Sequence, residues 1–407
     1  LHKWRVFKPI ENTSKGKLFD DQLFMSKKIK LGDVVKISKG KKHAETPYSE
    51  SSKRYIQIED LSNSINEKFT DENGVEVNKD DVIIAWDGAN AGKVGSNLEG
   101  VIGSTLARLR IINNDLNHDF LFRFLNSKFD LIKSQRTGAT IPHVSGEALR
   151  NLQIPLPNLQ TQKHIASILD KADALRQQNR QLLAHYDALL QSTFIEMFGE
   201  INTDSTNWPV LKIEEIAEEK KGSMRTGPFG SDLLHSEFVD DGVFVLGIDN
   251  VVNNRFEWDR LRYISLEKYE KLNRYTVKPG DLLISIMATV GRVAIVPEEM
   301  PLAINSKHLA AISLDRDKVE PIFIAYNLHS NPEVVKQITA GGRGAIMTGL
   351  NLGLIRKIGL KIPPLALQKH FVKISEKIES QKEQTKKSLA ESESLFQGLL
   401  STYFGDN

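Results

Sequence analysis

The chain predicts an α+β protein made of two similar globular domains, each followed by a long helix, with the two helices pairing as an antiparallel coiled coil about a pseudo-two-fold axis. Three observations carry this. The sequence repeats itself at about half its length, two proline-free stretches of equal length close the two halves, and short apolar runs punctuated by Gly, Asn, Asp and Pro fill the rest.

The repeat is read from matched residues. Gln162-Lys163-His164 recurs as Gln368-Lys369-His370, and Phe198-Gly199 as Phe404-Gly405, both at an offset of 206. Leu152 to Pro157 matches Ile358 to Pro363 without a gap. Phe120 to Ser127 matches Phe323 to Ser330 at offset 203, and Asp81-Val-Ile-Ile84 matches Asp281-Leu-Leu-Ile284 at offset 200. The drift implies small loop insertions. The domain order that follows is an N-terminal segment 1–28 without a counterpart, a globular domain 29–157, a helix 158–199, a linker 200–207, a second globular domain 208–363 and a second helix 364–405.

Between Gln162 and Phe198, and between Gln368 and Phe404, there is no Pro, and only Gly398 departs from helix-forming composition. One heptad row of the first stretch is Ile165, Ala172, Asn179, Tyr186 and Thr193. The row three residues on is Ile168, Leu175, Leu182 and Leu189, and together they read as a seam of about four heptads. The second stretch offers Phe371, Ile374, Ile378, Leu395 and Leu399, with a polar centre at Gln381, Thr385, Ser388 and Ser392. At ~1.5 Å per residue each helix is ~55 Å long and needs a partner along its length. Gly199 and Gly405 stand where each helix should stop.

In the globular parts, strands are expected at Tyr55–Ile58, Val82–Ala85, Leu106–Ile112, Val243–Ile248 and Leu282–Ile286, in a largely antiparallel sheet. Helices are expected at His118–Lys133 and Ile322–His329.

Composition narrows the function. No apolar run approaches the ~20 residues of a membrane span, and residues 1–24 have no apolar core of a secretory signal. The chain has no cysteine, which excludes disulfides, Cys-ligated zinc and thiol catalysis and fits a cytoplasmic location. The 54 basic and 52 acidic residues nearly cancel, so nucleic-acid binding must come from local clusters. The ten histidines form no H-E-x-x-H pair, and no G-x-S-x-G elbow is present. Gly88-Ala-Asn-Ala-Gly-Lys93 has one residue too few between its glycines for a phosphate loop, and Val94 stands where Ser or Thr should follow. No catalytic residue, metal site or directly bound cofactor is expected.

Basic, glycine-rich loops do recur at equivalent places. The first half carries Lys39, Lys41, Lys42 and His43, then Ser104 and Thr105, then Arg136, Thr137, Thr140 and His143. The second half carries Lys221, Ser223, Arg225, Thr226 and Ser231, then Asn305, Lys307 and His308, then Arg343 and Thr348. Glycine admits close backbone approach, Lys and Arg neutralise phosphates, and Arg, Asn, Ser and Thr read base edges. Arg225, Arg343, Arg136 and Lys41 lead this set. Two similar, non-identical heads on a rigid strut suit two short half-sites on one face of B-DNA, a little over one turn (~34 Å) apart. The alternative is a two-headed protein-binding scaffold without DNA specificity.

The motifs resemble those of the specificity subunits (HsdS) of type I restriction–modification systems, from about residue 29 onward. The match lies in Thr137-Gly-Ala-Thr-Ile-Pro-His-Val-Ser145, then Ile154-Pro-Leu-Pro157 and Gln162. The second copy reads Gly344 to Asn351, Ile362-Pro-Pro-Leu365 and Gln368, and Asp81 and Asp281 fit the acidic start of a family strand. The resemblance implies a subunit without catalytic activity whose two target-recognition domains each read half of a bipartite double-stranded DNA site. It implies helices that set the spacer and dock two methyltransferase subunits, which use S-adenosylmethionine to methylate adenine at N6. Restriction subunits, using ATP and Mg2+, would complete the endonuclease.

Overall fold

The computed structural model describes residues 26–62, 66–138, 140–199, 207–341 and 350–405. The chain forms two compact units, one from residues up to 180 together with those from 386 onward, the other from residues 181–385. Each unit holds one globular head, one half of the helix Leu159–Phe198 and one half of the helix Leu365–Phe404.

The first head contains two four-stranded sheets. One runs in the order Val35–Lys39, Leu106–Ile111, Val82–Ala85, Val94–Gly95, antiparallel throughout. The other runs Phe69–Thr70, Lys53–Ile56, Gly100–Ile102, Glu76–Val77, and its central pair is parallel, with Tyr55 opposite Val101. The second head repeats the plan. Met224–Thr226, Leu309–Ile312, Leu282–Ser285 and Val293–Ile295 form the antiparallel sheet. The other sheet has five strands, and Val243–Leu246 runs parallel to Ala303–Asn305 within it. The first and last strands of each head pair with each other, Lys28–Lys30 with Gln153–Pro155 and Val210–Lys212 with Gly359–Lys361. The central strands Val82–Ala85 and Leu282–Ser285 are buried along their whole length, which is why they read as unbroken apolar runs rather than as alternation.

The head helices start as their sequences dictate. Asn117 caps His118–Ser127 by accepting from the Phe120 amide at 3.0 Å. Pro321 opens Pro321–Ser330 at a position where a missing N–H costs nothing. The helix expected to continue to Lys133 breaks at Lys128 and resumes as Phe129–Ser134.

The repeated glutamine fastens each head to its helix. Gln162 is fully buried; its Nε2 donates to the carbonyls of Asp115 and Pro157, both at 2.7 Å, and its Oε1 accepts from the Asn117 amide at 2.8 Å. Gln368 repeats the set with Lys318 O at 3.4 Å, Pro363 O at 2.8 Å and the Glu320 amide at 3.0 Å. One amide thus joins the start of the head helix, the turn before it and the entry to the long helix.

Inside each unit the two long helices pair antiparallel. In the first, Ile165, Leu169 and Ala172 share a core with Phe396 and Phe404. Arg176 bonds Glu393 at 3.0 Å and lies 3.8 Å above the Phe396 ring. In the second, Leu190 and Phe194 share a core with Phe371 and Ile378, and Lys382 is buried between Asp187 and Glu379. The expected row Ile165, Ala172, Asn179, Tyr186, Thr193 does face inward. The expected companion row does not: Leu175, Leu182 and Leu189 are 49%, 39% and 49% exposed. The inward companion is the row four residues on, Leu169, Arg176, Leu183, Leu190 and Met197. At about 100° per residue the fourth residue falls ~40° from the first and the third ~60° to the other side, so the buried stripe is the narrower choice. Leu395 is likewise exposed, and Phe396 takes the inward position.

The two strand-leading aspartates are structural. Asp81, 1% exposed, takes a two-pronged bond from Arg110 at 2.8 and 2.6 Å and accepts the Asn78 amide at 3.0 Å. Asp281 accepts the Lys278 amide at 2.8 Å and the Ser313 hydroxyl at 2.6 Å, and pairs with Arg225. The arginine has changed strand between the heads: Ser313 stands where Arg110 does, and Arg225 where Ser38 does. Arg225, expected among the base readers, is buried, with further bonds to Thr276 O at 2.9 Å and Gly222 O at 3.2 Å. The structure gives it the part of counterion, because a buried carboxylate demands a cation.

Two outcomes follow. Gln162→Leu keeps the volume and strands three backbone groups, so denaturant unfolding should show a loss of about 2–4 kcal/mol. Arg225→Ala leaves Asp281 buried without its counterion and should cost about 3–5 kcal/mol in the same measurement, with no change in whatever ligand the second head selects.

Candidate nucleic-acid interface

In the first head three strand ends coincide: Lys39 lies opposite Ala107, and Ala85 opposite Leu106. The loops leaving those ends, residues 40–52, 86–93 and 103–105, therefore emerge together. The loop 136–143 is stitched onto them. The Gly88 amide donates to Pro142 O at 2.8 Å and the Val144 amide to Trp86 O at 2.9 Å, while Thr137 and His143 exchange backbone bonds at 3.0 and 2.8 Å. Two glycines make this possible. A Cβ on Gly40 would meet Gly103 O at 2.3 Å, and one on Gly138, at φ +94°, would meet Ile141 O at 2.4 Å.

The side chains on this edge divide into scaffold and surface. His43 is scaffold: it is buried, its Nδ1 lies 2.9 Å from Glu72, its amide donates to the Tyr55 hydroxyl at 3.0 Å and its ring meets Tyr55 edge-on. This takes it off the contact surface expected for it. Arg136 ties loops together, donating to Ala89 O at 3.1 Å and Lys133 O at 3.0 Å. Lys41, Lys42, Thr137, Thr140 and His143 are exposed, and Ser104 and Thr105 half-exposed. The Thr137 hydroxyl lies 2.7 Å from His143 Nε2. Lys39 forms an ion pair with Asp87 at 2.9 Å. Asp87, Gly88, Thr105, Ile141 and His143 line an open cleft of about 450 Å3.

The second head builds the same edge. A Cβ on Gly227 would meet Asn305 O at 2.2 Å, as Gly40 meets Gly103, and the Ile286 amide donates to His308 O at 2.9 Å, as Trp86 does to Thr105. The Leu350 amide donates to Ile286 O at 3.0 Å, as Val144 does to Trp86. Lys221, Ser231 and Lys307 are exposed, and Ser223, Thr226 and His308 half-buried. Burial, with the charges of Lys307 and Arg262 nearby, holds the His308 imidazole below its usual pKa, so it is neutral at pH 7 and able to accept as well as donate. Asn305, expected as a reader, is fully buried and donates to Leu309 O at 2.9 Å, holding the turn that presents its neighbours. Arg343 and Thr348 lie outside the described residues.

The basic-loop pattern covers three of the four loops of the first edge; of the fourth, the sequence reading considered only Gly88–Lys93, as a phosphate loop. The structure shows why that reading fails. Gly88–Lys93 joins two strands, Val82–Ala85 and Val94–Gly95, and no helix N-terminus follows to receive a phosphate. The signal for the loop was present in the match of Asp81–Ile84 to Asp281–Ile284, which places Trp86-Asp87-Gly88 and Ile286-Met287-Ala288 at the same exit. Gly88 and Ala288 share positive φ, at 90° and 61°.

Comparison with known proteins agrees with this duplicated plan. A family model described as the type I restriction modification DNA specificity domain matches residues 25–185 and again 206–393. The MjaVIII type I restriction enzyme specificity subunit of Methanocaldococcus jannaschii is 27% identical over 394 residues, covering 89% of this chain and 90% of that protein. The EcoBI specificity subunit of Escherichia coli is 21% identical, covering 81% of this chain and 74% of its own length. The crystal structure of a type I restriction–modification S subunit from M. genitalium superposes with a TM-score of 0.58 at 18% identity, over 94% of this chain and 96% of that one, and shares the fold. With the family domain matched once in each half, the chain belongs to the type I restriction–modification DNA specificity family.

Proposed function

We propose that this chain is the non-catalytic specificity subunit of a type I restriction–modification complex, each head reading one half of a bipartite, asymmetric DNA site in the major groove. The observation that carries this reading is the pair of equivalent loop edges, alike in backbone and different in side chains. Like frames explain why both heads bind the same polymer. Unlike side chains explain why the two half-sites would differ. Exposed Lys41, Lys42, Lys221 and Lys307 supply sequence-independent phosphate contacts. Membership of a DNA specificity family favours DNA over a protein-binding scaffold.

The long helices set the length of unread DNA between the half-sites and dock two methyltransferase subunits. Leu175, Leu182 and Leu189, one heptad apart and left exposed, offer an apolar stripe for a partner helix. The partners supply S-adenosylmethionine-dependent adenine methylation and, where a restriction subunit joins, ATP- and Mg2+-dependent cleavage. This chain contributes orientation and sequence choice.

Methylome sequencing of cells carrying the modification subunits, with and without this chain, tests the reading. The expected result is a split adenine-methylated motif with two unlike halves that appears only when the chain is present. A continuous or palindromic motif, or methylation independent of the chain, would refute it.

A further inference from the structure

We propose that the Lys39–Asp87 ion pair at the cleft of the first head is its specificity-determining element and reads a C·G base pair; the inference rests on the DNA-specificity function proposed above. The pair sits on the loop edge, with side chains 48% and 26% exposed and 2.9 Å apart. An exposed pair of this kind contributes little to folding, so the fold gives no reason for it. Its placement is nonetheless fixed. Lys39 ends a strand and precedes the clamped Gly40. Asp87 bridges to His143, and its amide donates to Thr105 O at 3.3 Å. A side chain on so constrained a backbone is pre-organised for a ligand.

The comparison between heads shows what varies at this position. Gly40 and Gly227, Asp81 and Asp281, and Gln162 and Gln368 keep the frame the same. At the two positions of the ion pair the second head has Thr226, just before Gly227, and Met287, just after Ile286, and neither is charged. The frame is thus held while the chemistry here changes from an ion pair to a hydroxyl and a thioether, as it also changes from Ser104 and Thr105 to Lys307 and His308 on the neighbouring loop. That is the pattern required of residues that make two heads choose different sequences.

The chemistry selects the base pair. A carboxylate beside an ammonium presents an acceptor next to a donor. In the major groove cytosine N4 donates and the paired guanine offers O6 and N7 as acceptors, so Asp87 takes the amino group while Lys39 reaches the guanine. An A·T pair also sets an amino donor beside a carbonyl. There, however, adenine N7 lies next to N6 and its lone pair faces the carboxylate, whereas cytosine has only a C–H at that place.

The test uses the full chain with its modification subunits and reads the methylome of the wild type, Asp87→Ala and Lys39→Ala. The expected result is a C·G requirement at one position of one half-site, relaxed about ten- to hundredfold in both variants. The other half-site and the spacer stay as they were. The exposed Lys39 keeps the test informative should Asp87→Ala fail to fold. Retention of every position by Lys39→Ala, uniform loss of methylation across all sites, or relaxation at an A·T position would each overturn the proposal. A wild-type chain yielding no bipartite motif would instead overturn the function on which it rests.

Discussion

A buried glutamine amide at the head of each long helix is the constraint on which the rest depends. Gln162 and Gln368 each bond three backbone groups, drawn from the turn before the head helix, the start of that helix and the proline-rich entry to the long helix. A primary amide is the side chain that can donate twice and accept at the same point without carrying charge into the interior. No apolar residue could satisfy those groups, and leaving them unpaired would cost more than the joint contributes elsewhere. The joint fixes the direction in which each helix leaves its own head.

The heads show the same economy in a second buried group. Asp81 and Asp281 hold the turn before the central strand, and each needs a cation. The first head takes it from Arg110 and the second from Arg225, on a different strand, with serine filling the vacated place. The duplicated frame thus tolerates rewiring as long as the carboxylate stays neutralised. The side chains also differ at the loop edge, which lies outside the core. Lys39 and Asp87 correspond across the repeat to Thr226 and Met287, beside backbone bonds that Trp86 and Ile286 make alike.

Much of this was legible in the sequence. Internal repetition located both heads and both helices, because packing and capping demands recur with the repeat: Gln at the joint, Asp before the strand, Gly at the helix end. Gly199, with φ 80°, closes the first helix, its amide donating a hydrogen bond to Ile195 O at 2.8 Å, as its position implied. What was not legible was which side of each residue faces inward. Heptad spacing favours Leu175, Leu182 and Leu189 for the seam, but these are exposed and the row four residues on, with buried Leu190, faces inward. Nor does residue type separate a reading arginine from a counterion. Arg225, Asn305 and His43 are all good ligand-binding chemistry, yet Arg225 bonds buried Asp281, Asn305 bonds the Leu309 carbonyl and the His43 amide bonds the hydroxyl of buried Tyr55. Asp87 carries no sequence signal of its own; its place beside Lys39 and the cleft is visible only in the fold.

The central claim is that heads choose bases and helices measure distance. Inserting one heptad into both long helices, after Arg180 and after Thr385, tests it most directly when the methylome is read again. Seven residues add ~10 Å of helix, about three base pairs of duplex. The account predicts the same two half-sites separated by a spacer about three base pairs longer. Changed half-site bases, or an unchanged spacer in a chain that still directs methylation, would contradict it.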